Sequence, residues 1–271
     1  MFQEFEKKVV DFCVKHELFP RQHKGNILVA LSGGGDSVAL LYVLTRIRNV
    51  FGKTIEAAHL NHSLRGQESI ADENFCRELC GELGIHITIE RLMEGEISRS
   101  KNSVETAARE ARMAFLERVA VDRNCARIAT GHTMNDQAET VLQRILRGTG
   151  PSGLAGILPI RDGFWVRPLL GVSRHEVRDY LNRDGISFCE DSTNTDTVYF
   201  RNRIRHEMIP FIKERFSPGI SVVIARLAEL SREQENYLDG KMMEAFRNCC
   251  MLENSNKIVL DNRKLWIIIK Y

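Results

Sequence analysis

Asn26-Ile27-Leu28-Val29-Ala30-Leu31-Ser32-Gly33-Gly34-Gly35-Asp36-Ser37 is the stretch that decides the fold. Its first six residues, Asn26–Leu31, form a short apolar run that reads as a buried strand, and from Asp36 to about Arg48 the apolar residues recur with helical period. Between them lies a polar loop with three consecutive glycines. Glycine admits positive φ and close backbone approach, while a helix start offers unpaired N–H groups and a partial positive charge. Ser32, Gly33, Gly34, Gly35 and Ser37 therefore make an anion site suited to phosphate. Asp36 is itself an anion, and a bridging Mg²⁺ resolves that conflict because the metal takes carboxylate and phosphate oxygens together. A Walker loop would need a lysine at its end, and a dinucleotide fingerprint would need a glycine where Val38 stands. Gly148, Gly150 and Gly153 do have the dinucleotide spacing, but they come after a predicted helix rather than a strand.

Outward from the loop, strands and helices alternate. Thr54–Leu60 reads as a strand, Ser69–Leu83 as a helix stopped by Gly84, and Ile85–Glu90 as a strand. A long helix begins at Asn102, with Glu105 placed to complete its cap. Cys125–Thr130 is the next strand, and Asn135–Arg147 is a helix stopped by Gly148. Trp165–Leu170 reads as a strand, and Ser173 with Glu176 forms a capping box for a helix to about Arg183. This order implies parallel βαβ units with right-handed crossovers, hence an α/β, doubly wound parallel sheet. Its ligand belongs beyond the carboxyl ends of the strands. After Pro218 the pattern changes: Ile220–Asn248 is largely helical and Lys257–Leu260 reads as a short strand. The expected division is a catalytic domain over 1–216 and a helical C-terminal extension over 217–271.

The 271 residues are 43% hydrophobic and 27% charged, enough for a substantial core. No apolar run is long enough to cross a bilayer, and MFQEFEKKVVDF lacks the basic start and apolar centre of a secretory signal. The expected location is the cytoplasm, with no membrane partner. A net charge of +2 neither demands nor excludes nucleic acid, since local patches decide. Arg201, Arg203 and Arg205 fall within five positions and form such a patch. The seven cysteines include no Cys-x-x-Cys pair, so neither a zinc nor an iron–sulfur framework is expected.

The pattern Ser-Gly-Gly-x-Asp-Ser at Ser32–Ser37 resembles the pyrophosphate loop of the N-type ATP pyrophosphatases, which have an adenine nucleotide alpha-hydrolase-like fold. Four further stretches resemble one branch of that superfamily, the tRNA(Ile)-lysidine synthetases. They are His59-Leu60-Asn61-His62-Ser63-Leu64-Arg65-Gly66; Gly131-His132-Thr133-Met134-Asn135-Asp136-Gln137-Ala138-Glu139-Thr140; Arg147-Gly148 with Gly153-Leu154-Ala155-Gly156-Ile157; and Asp191-Ser192-Thr193-Asn194 with Arg201-Asn202-Arg203-Ile204-Arg205. Their order and spacing match the family from about residue 26 to about 216.

The resemblance implies that the protein uses ATP and Mg²⁺ to modify the wobble cytidine of tRNA(Ile) with a CAU anticodon. The cytosine 2-oxygen attacks the α-phosphate, pyrophosphate leaves, and the ε-amine of free L-lysine then displaces AMP to give lysidine. That changes decoding from AUG to AUA. Asp136 and Glu139, three apart on a predicted helix, share a face where paired carboxylates can bind Mg²⁺, hold the lysine ammonium or accept its proton. Free lysine needs such help, with a side-chain pKa of about 10.4. His132 can contact phosphate or the reacting base. Arg112 matches a family arginine near the ATP, where a fixed cation would stabilise charge growing on the α-phosphate. Arg201, Arg203 and Arg205 are candidate tRNA contacts, and one of them can reach the nucleotide. His59 and His62 carry only the implication that their loop lies beside the active site.

Family members usually continue into C-terminal domains, whereas this chain stops at Tyr271, and they are monomers or dimers, which leaves a homodimer open. Three rivals remain. A tRNA thiolation enzyme typically carries paired cysteines and a lysine at the position of Gly35, a small-molecule ATP-dependent ligase lacks the arginine-rich motif, and a non-catalytic nucleotide sensor would not need both Asp136 and Glu139.

Overall fold

A computed structural model describes residues 3–22, 24–64, 66–93, 95, 104–190, 200–254 and 257–261. The Asp191-Ser192-Thr193-Asn194 motif, the expected cap residue Asn102 and the C-terminal 262–271 lie outside the described residues. The elements in chain order are α1 (Glu4–Lys15), β1 (Asn26–Ala30), α2 (Gly35–Phe51), β2 (Ile55–Asn61), α3 (Gln67–Leu83), β3 (Ile87–Arg91), α4 (Val104–Asp122), β4 (Cys125–Ala129) and α5 (Met134–Arg147). Then come α6 (Pro151–Leu154), β5 (Ile160–Arg161), β6 (Trp165–Val166), α7 (Arg174–Arg183), α8 (Phe200–Arg203), a π-helical turn (Ile204–Met208), α9 (Ile209–Arg215), α10 (Ile220–Cys249) and the hairpin strands β7 (Cys250–Asn254) and β8 (Lys257–Leu260).

Six strands form one sheet in the order β3-β2-β1-β4-β6-β5, parallel throughout except for the antiparallel edge strand β5. The alternation of β1 explains the two-sided core. Ile27 and Val29 enter the cluster under α1, α2, α3 and α7, whereas Leu28 joins Phe115, Leu116, Val119 and Ala120 of α4 on the opposite face. Fully burying a side chain of this size contributes about 1.5–3 kcal/mol, so the central strands anchor both layers. A third cluster joins α5 to the π-helical turn and the first turns of α10 through Ala138, Val141, Ile204, Ile224 and Ala228.

Helix stops coincide with glycines: Gly84 closes α3 at φ +62° and Gly52 closes α2 at φ +63°. One expectation needs correction. The strand expected over Trp165–Leu170 ends at Val166. Pro168 has no N–H to continue a ladder, Arg167 N–H turns back to Pro159 O at 3.0 Å, and the chain closes a turn with Leu170 N–H on Arg167 O at 3.2 Å. Among the described residues no helix is long and apolar enough to cross a membrane.

Candidate active site

Strand order reverses between β1 and β4, which in a doubly wound sheet marks the ligand crevice at their carboxyl ends. Two helices start at this crevice, α2 after β1 and α5 after β4, so two positive helix termini converge. Their approach is close. A Cβ added to Gly131 would stand 3.0 Å from the Asp36 carbonyl carbon and 3.1 Å from Ser37 N, so any larger residue there would press on the start of α2.

The glycine loop is fastened by its own serines. Ser37 Oγ accepts from Ser32 N–H at 3.1 Å, donates to Gly34 O at 2.8 Å and lies 3.1 Å from Ser32 Oγ. Of the three glycines only Gly33 takes positive φ, at +88°. Gly34 caps α2, and Gly35 leaves room for the Phe188 ring. Cys189 N–H donates to Gly33 O at 3.0 Å, docking the segment after α7 onto the loop.

On α5, Thr133 N–H and Oγ1 both donate to Asp136 Oδ2 at 2.8 Å in a capping box. The remaining oxygens of Asp136 and Glu139 are shared by three arginines from three other elements. Arg174 Nη2 lies 3.2 Å from Asp136 Oδ1, and its Nη1 lies 3.5 Å from Glu139 Oε1. Arg201 reaches Asp136 Oδ1 at 3.1 Å and Glu139 Oε2 at 3.0 Å. Arg205 Nε donates to Glu139 Oε1 at 2.7 Å and its Nη2 to Glu139 Oε2 at 2.8 Å. Arg174 Nε also lies 3.5 Å from Asp36 Oδ2, which ties the web to the glycine loop. Three carboxylates thus meet three guanidiniums, and the buried charge balances.

This arrangement sets the protonation of each group. Burial, helped by the charge of Asp136, raises the Asp36 pKa although Arg174 pulls it down. Burial would raise Asp136 too, but Arg174, the Thr133 N–H and Arg201 outweigh it and hold that carboxyl below its usual value. Burial would lower the Arg205 pKa, and the hydrogen bond and charge of Glu139 reverse the sign. His132, with Nδ1 2.9 Å from Thr130 Oγ1, is pushed down to about 4 by burial and by Arg167, Arg201 and Arg109 against the pull of Asp136. At neutral pH it is an uncharged imidazole.

The site therefore brings together Asp36, Asp136, Glu139, Arg201 and Arg205, with His132 alongside. Arg203 stands apart, its Cζ 5.4 Å from the Phe200 ring centroid. Arg112 lies on α4, reached by solvent yet hemmed in closely enough that burial and Arg109 lower its pKa. His59 is buried, with Nδ1 2.9 Å from Leu31 O at the start of the glycine loop, and His62 Nδ1 is buried without a partner among the described residues.

Sequence reasoning missed Arg174, Asn135 and Gln137. Arg174 N–H donates to Asn135 Oδ1 at 2.9 Å, which fixes where α7 begins. Gln137 holds the 155–157 loop by donating to Ala155 O and Ile157 O at 3.2 Å and accepting from Ile157 N–H at 2.5 Å. A signal for Arg174 was present: a cation in the first turn of a helix opposes the dipole and calls for a compensating anion.

The family model for the PP-loop domain matches residues 1–212. The chain belongs to the PP-loop domain family. Among curated PP-loop relatives, the tRNA(Ile)-lysidine synthase of Clostridium perfringens (strain ATCC 13124) is 39% identical over 257 residues, covering 94% of this chain and 54% of the relative. That of Symbiobacterium thermophilum is 40% identical over 245 residues, covering 89% and 50%. The chain spans about half the length of the curated relatives it matches. Among solved structures, the U34-tRNA thiolase NcsA from Methanococcus maripaludis, with its [4Fe-4S] cluster, superposes with a TM-score of 0.69 at 19% identity, covering 84% of this chain and 79% of that one. The NH3-dependent NAD synthetase from Campylobacter jejuni gives 0.50 at 14% identity, covering 88% and 97%. These two likenesses are of fold alone.

Proposed function

We propose that the protein ligates free L-lysine to C2 of the wobble cytidine of tRNA(Ile) with a CAU anticodon, at the expense of ATP, in the cytoplasm. The observation that carries this reading is the position of Asp136 and Glu139, an acidic pair set beside a pyrophosphate loop and linked to it by Arg174. The names of the relatives support it, since they are tRNA(Ile)-lysidine synthases at 39–40% identity over most of this chain.

In this reading the Ser32–Ser37 loop and the start of α2 hold the β- and γ-phosphates. Attack of the cytosine 2-oxygen on the α-phosphate releases pyrophosphate into that cradle, while Arg112 and His132 stand by the reacting centre. Asp136 and Glu139 then receive the lysine ammonium in exchange for an arginine. Its proton passes to a carboxylate, the amine attacks C2, and AMP leaves. Among the described residues no three His, Cys, Asp or Glu side chains gather as a ready metal cage. A magnesium ion would therefore share Asp36 with phosphate oxygens, an arrangement this ion commonly takes, where it would neutralise phosphate charge. Asp136 would join only on releasing its arginines. Arg201, Arg203 and Arg205 remain candidate contacts to tRNA. We assign 1–216 as the catalytic domain and 217–271 as a helical C-terminal region, with a homodimer as an allowed assembly.

The test is transfer of radiolabelled lysine in the presence of ATP and Mg²⁺. Label on the CAU-anticodon tRNA(Ile) alone, with pyrophosphate released, supports the reading. Label on no tRNA, or pyrophosphate release driven by another acceptor, overturns it.

A further inference from the structure

Charge is unevenly spread along the carboxyl edge of the sheet. On the α5 side Arg174, Arg201 and Arg205 each face a carboxylate. On the α4 side Arg109, Arg112 and Arg167 form no ion pair with any described residue. Topology brings them to one place. Helix α4 comes after β3 and returns over β2, β1 and β4, so its N-terminal half stands above the carboxyl ends of those strands. Arg109 and Arg112 are three apart, hence neighbours on that half. Arg167 comes directly after β6, beside β4 and the His132 loop.

Arg167 is the unusual member. It is 7% exposed; its Nη1 donates to Leu158 O at 2.5 Å, and its Nε has no partner. Asp162 acts on it but is itself bound to Arg161 at 3.1 Å. A buried cation with no acid beside it is costly to keep unless an anion arrives from outside. Burial and the neighbouring Arg161 and Arg109 depress its pKa to about 10, which still leaves it charged at neutral pH.

We propose that Arg109 and Arg167 extend the cationic wall begun by Arg112 and hold phosphodiester groups of the RNA strand beside the nucleotide being modified. This rests on the tRNA reading above. Phosphate is the shared chemistry of two sources, the RNA backbone and the ATP triphosphate. The RNA is favoured because the loop and two helix starts across the crevice already serve the triphosphate, and because a splayed anticodon loop carries a phosphate on each side of its reacting base. Arg201 and Arg205 are engaged with Asp136 and Glu139, whereas the buried Arg167 Nε has no partner among the described residues.

The test measures binding of a CAU anticodon stem-loop by fluorescence anisotropy from about 50 to about 300 mM KCl. Arg109→Glu is a mild change on an exposed helix position, Arg167→Lys keeps the buried charge but loses the fork, and Arg48→Glu at the far end of α2 is the control. Arg109→Glu is expected to weaken RNA binding about tenfold and lower the salt slope by about one, and Arg167→Lys to weaken it several-fold, each exceeding both the control and any change in ATP affinity. RNA binding that matches the control in both variants overturns the groove. Lost ATP affinity with RNA affinity kept gives the groove to the triphosphate and also overturns it. A wild-type chain that binds no stem-loop at any salt sinks the tRNA reading itself, a distinct result.

Discussion

Arg174 Nε stands 3.5 Å from Asp36 Oδ2, which joins the first turn of α7 to the first turn of α2. The same guanidinium reaches Asp136 and Glu139, so one side chain spans the phosphate half and the amine half of the site. Arg174→Ala is expected to lower lysine-dependent turnover at least about tenfold and to cost about 1.5–3 kcal/mol in urea unfolding, through lost charge-assisted hydrogen bonds. Arg174→Lys restores charge without the planar fork and should recover stability better than turnover. Wild-type turnover in the alanine variant would remove Arg174 from the site.

Asp36→Asn should abolish pyrophosphate release without lowering stability. The carboxyl has a raised pKa in the folded chain, so ionising it works against folding. The stability present below its ordinary value of 3.8 is lost as pH climbs through the higher folded value. A neutral amide escapes that loss at pH 7. Differential scanning calorimetry is expected to give a Tm equal to or above wild type; a clearly lower Tm would contradict the sign.

Gly131→Ala should damage ATP use while leaving secondary structure intact. Its methyl would meet Asp36 backbone atoms at 3.0 Å, so the start of α2 must shift and carry the phosphate cradle with it. The expected reading is a rise in KM for ATP with a normal far-ultraviolet circular dichroism spectrum. An unchanged KM would mean that α2 can yield at no cost.

His62 and His132 each titrate near 4 in the fold against an ordinary 6.5. Burial is the main cause for both, so both are neutral in the native protein at pH 7. Between pH 6.5 and 4 the unfolded chain binds more protons, and stability falls as the pH drops through that window. His62→Asn should flatten the Tm profile there relative to wild type; parallel profiles would show that His62 titrates normally.

How much of this was legible depended on distance along the chain. The glycine loop is local, one strand end and one helix start, and Ser32–Ser37 states its chemistry outright. Asp136 and Glu139 were readable as a pair because helical spacing puts them on one face. Their partners were not, since Arg174, Arg201 and Arg205 arrive from elements brought close only by tertiary packing. Arg201 and Arg205 suggest a solvent-facing basic patch when read alone, yet both turn onto Glu139, which is 1% exposed on its side chain. The early end of β6 was written in Pro168, whose missing N–H outweighs the apolar run around it.

The π-helical turn at Ile204–Met208 takes up one residue more than an α-turn would. Ahead of it α8 carries Arg201, within it sits Arg205, and beyond it Ile209 is buried with Ile224. Because a π-turn absorbs its surplus residue locally, the helices on either side of it stay in register. Deleting one residue inside the turn after Arg205 would restore an ordinary α-turn, whereas a deletion in α8 or α9 would rotate the side chains beyond it by about 100°. The turn is thus a place in this segment where a lost codon spares the facing of both flanks.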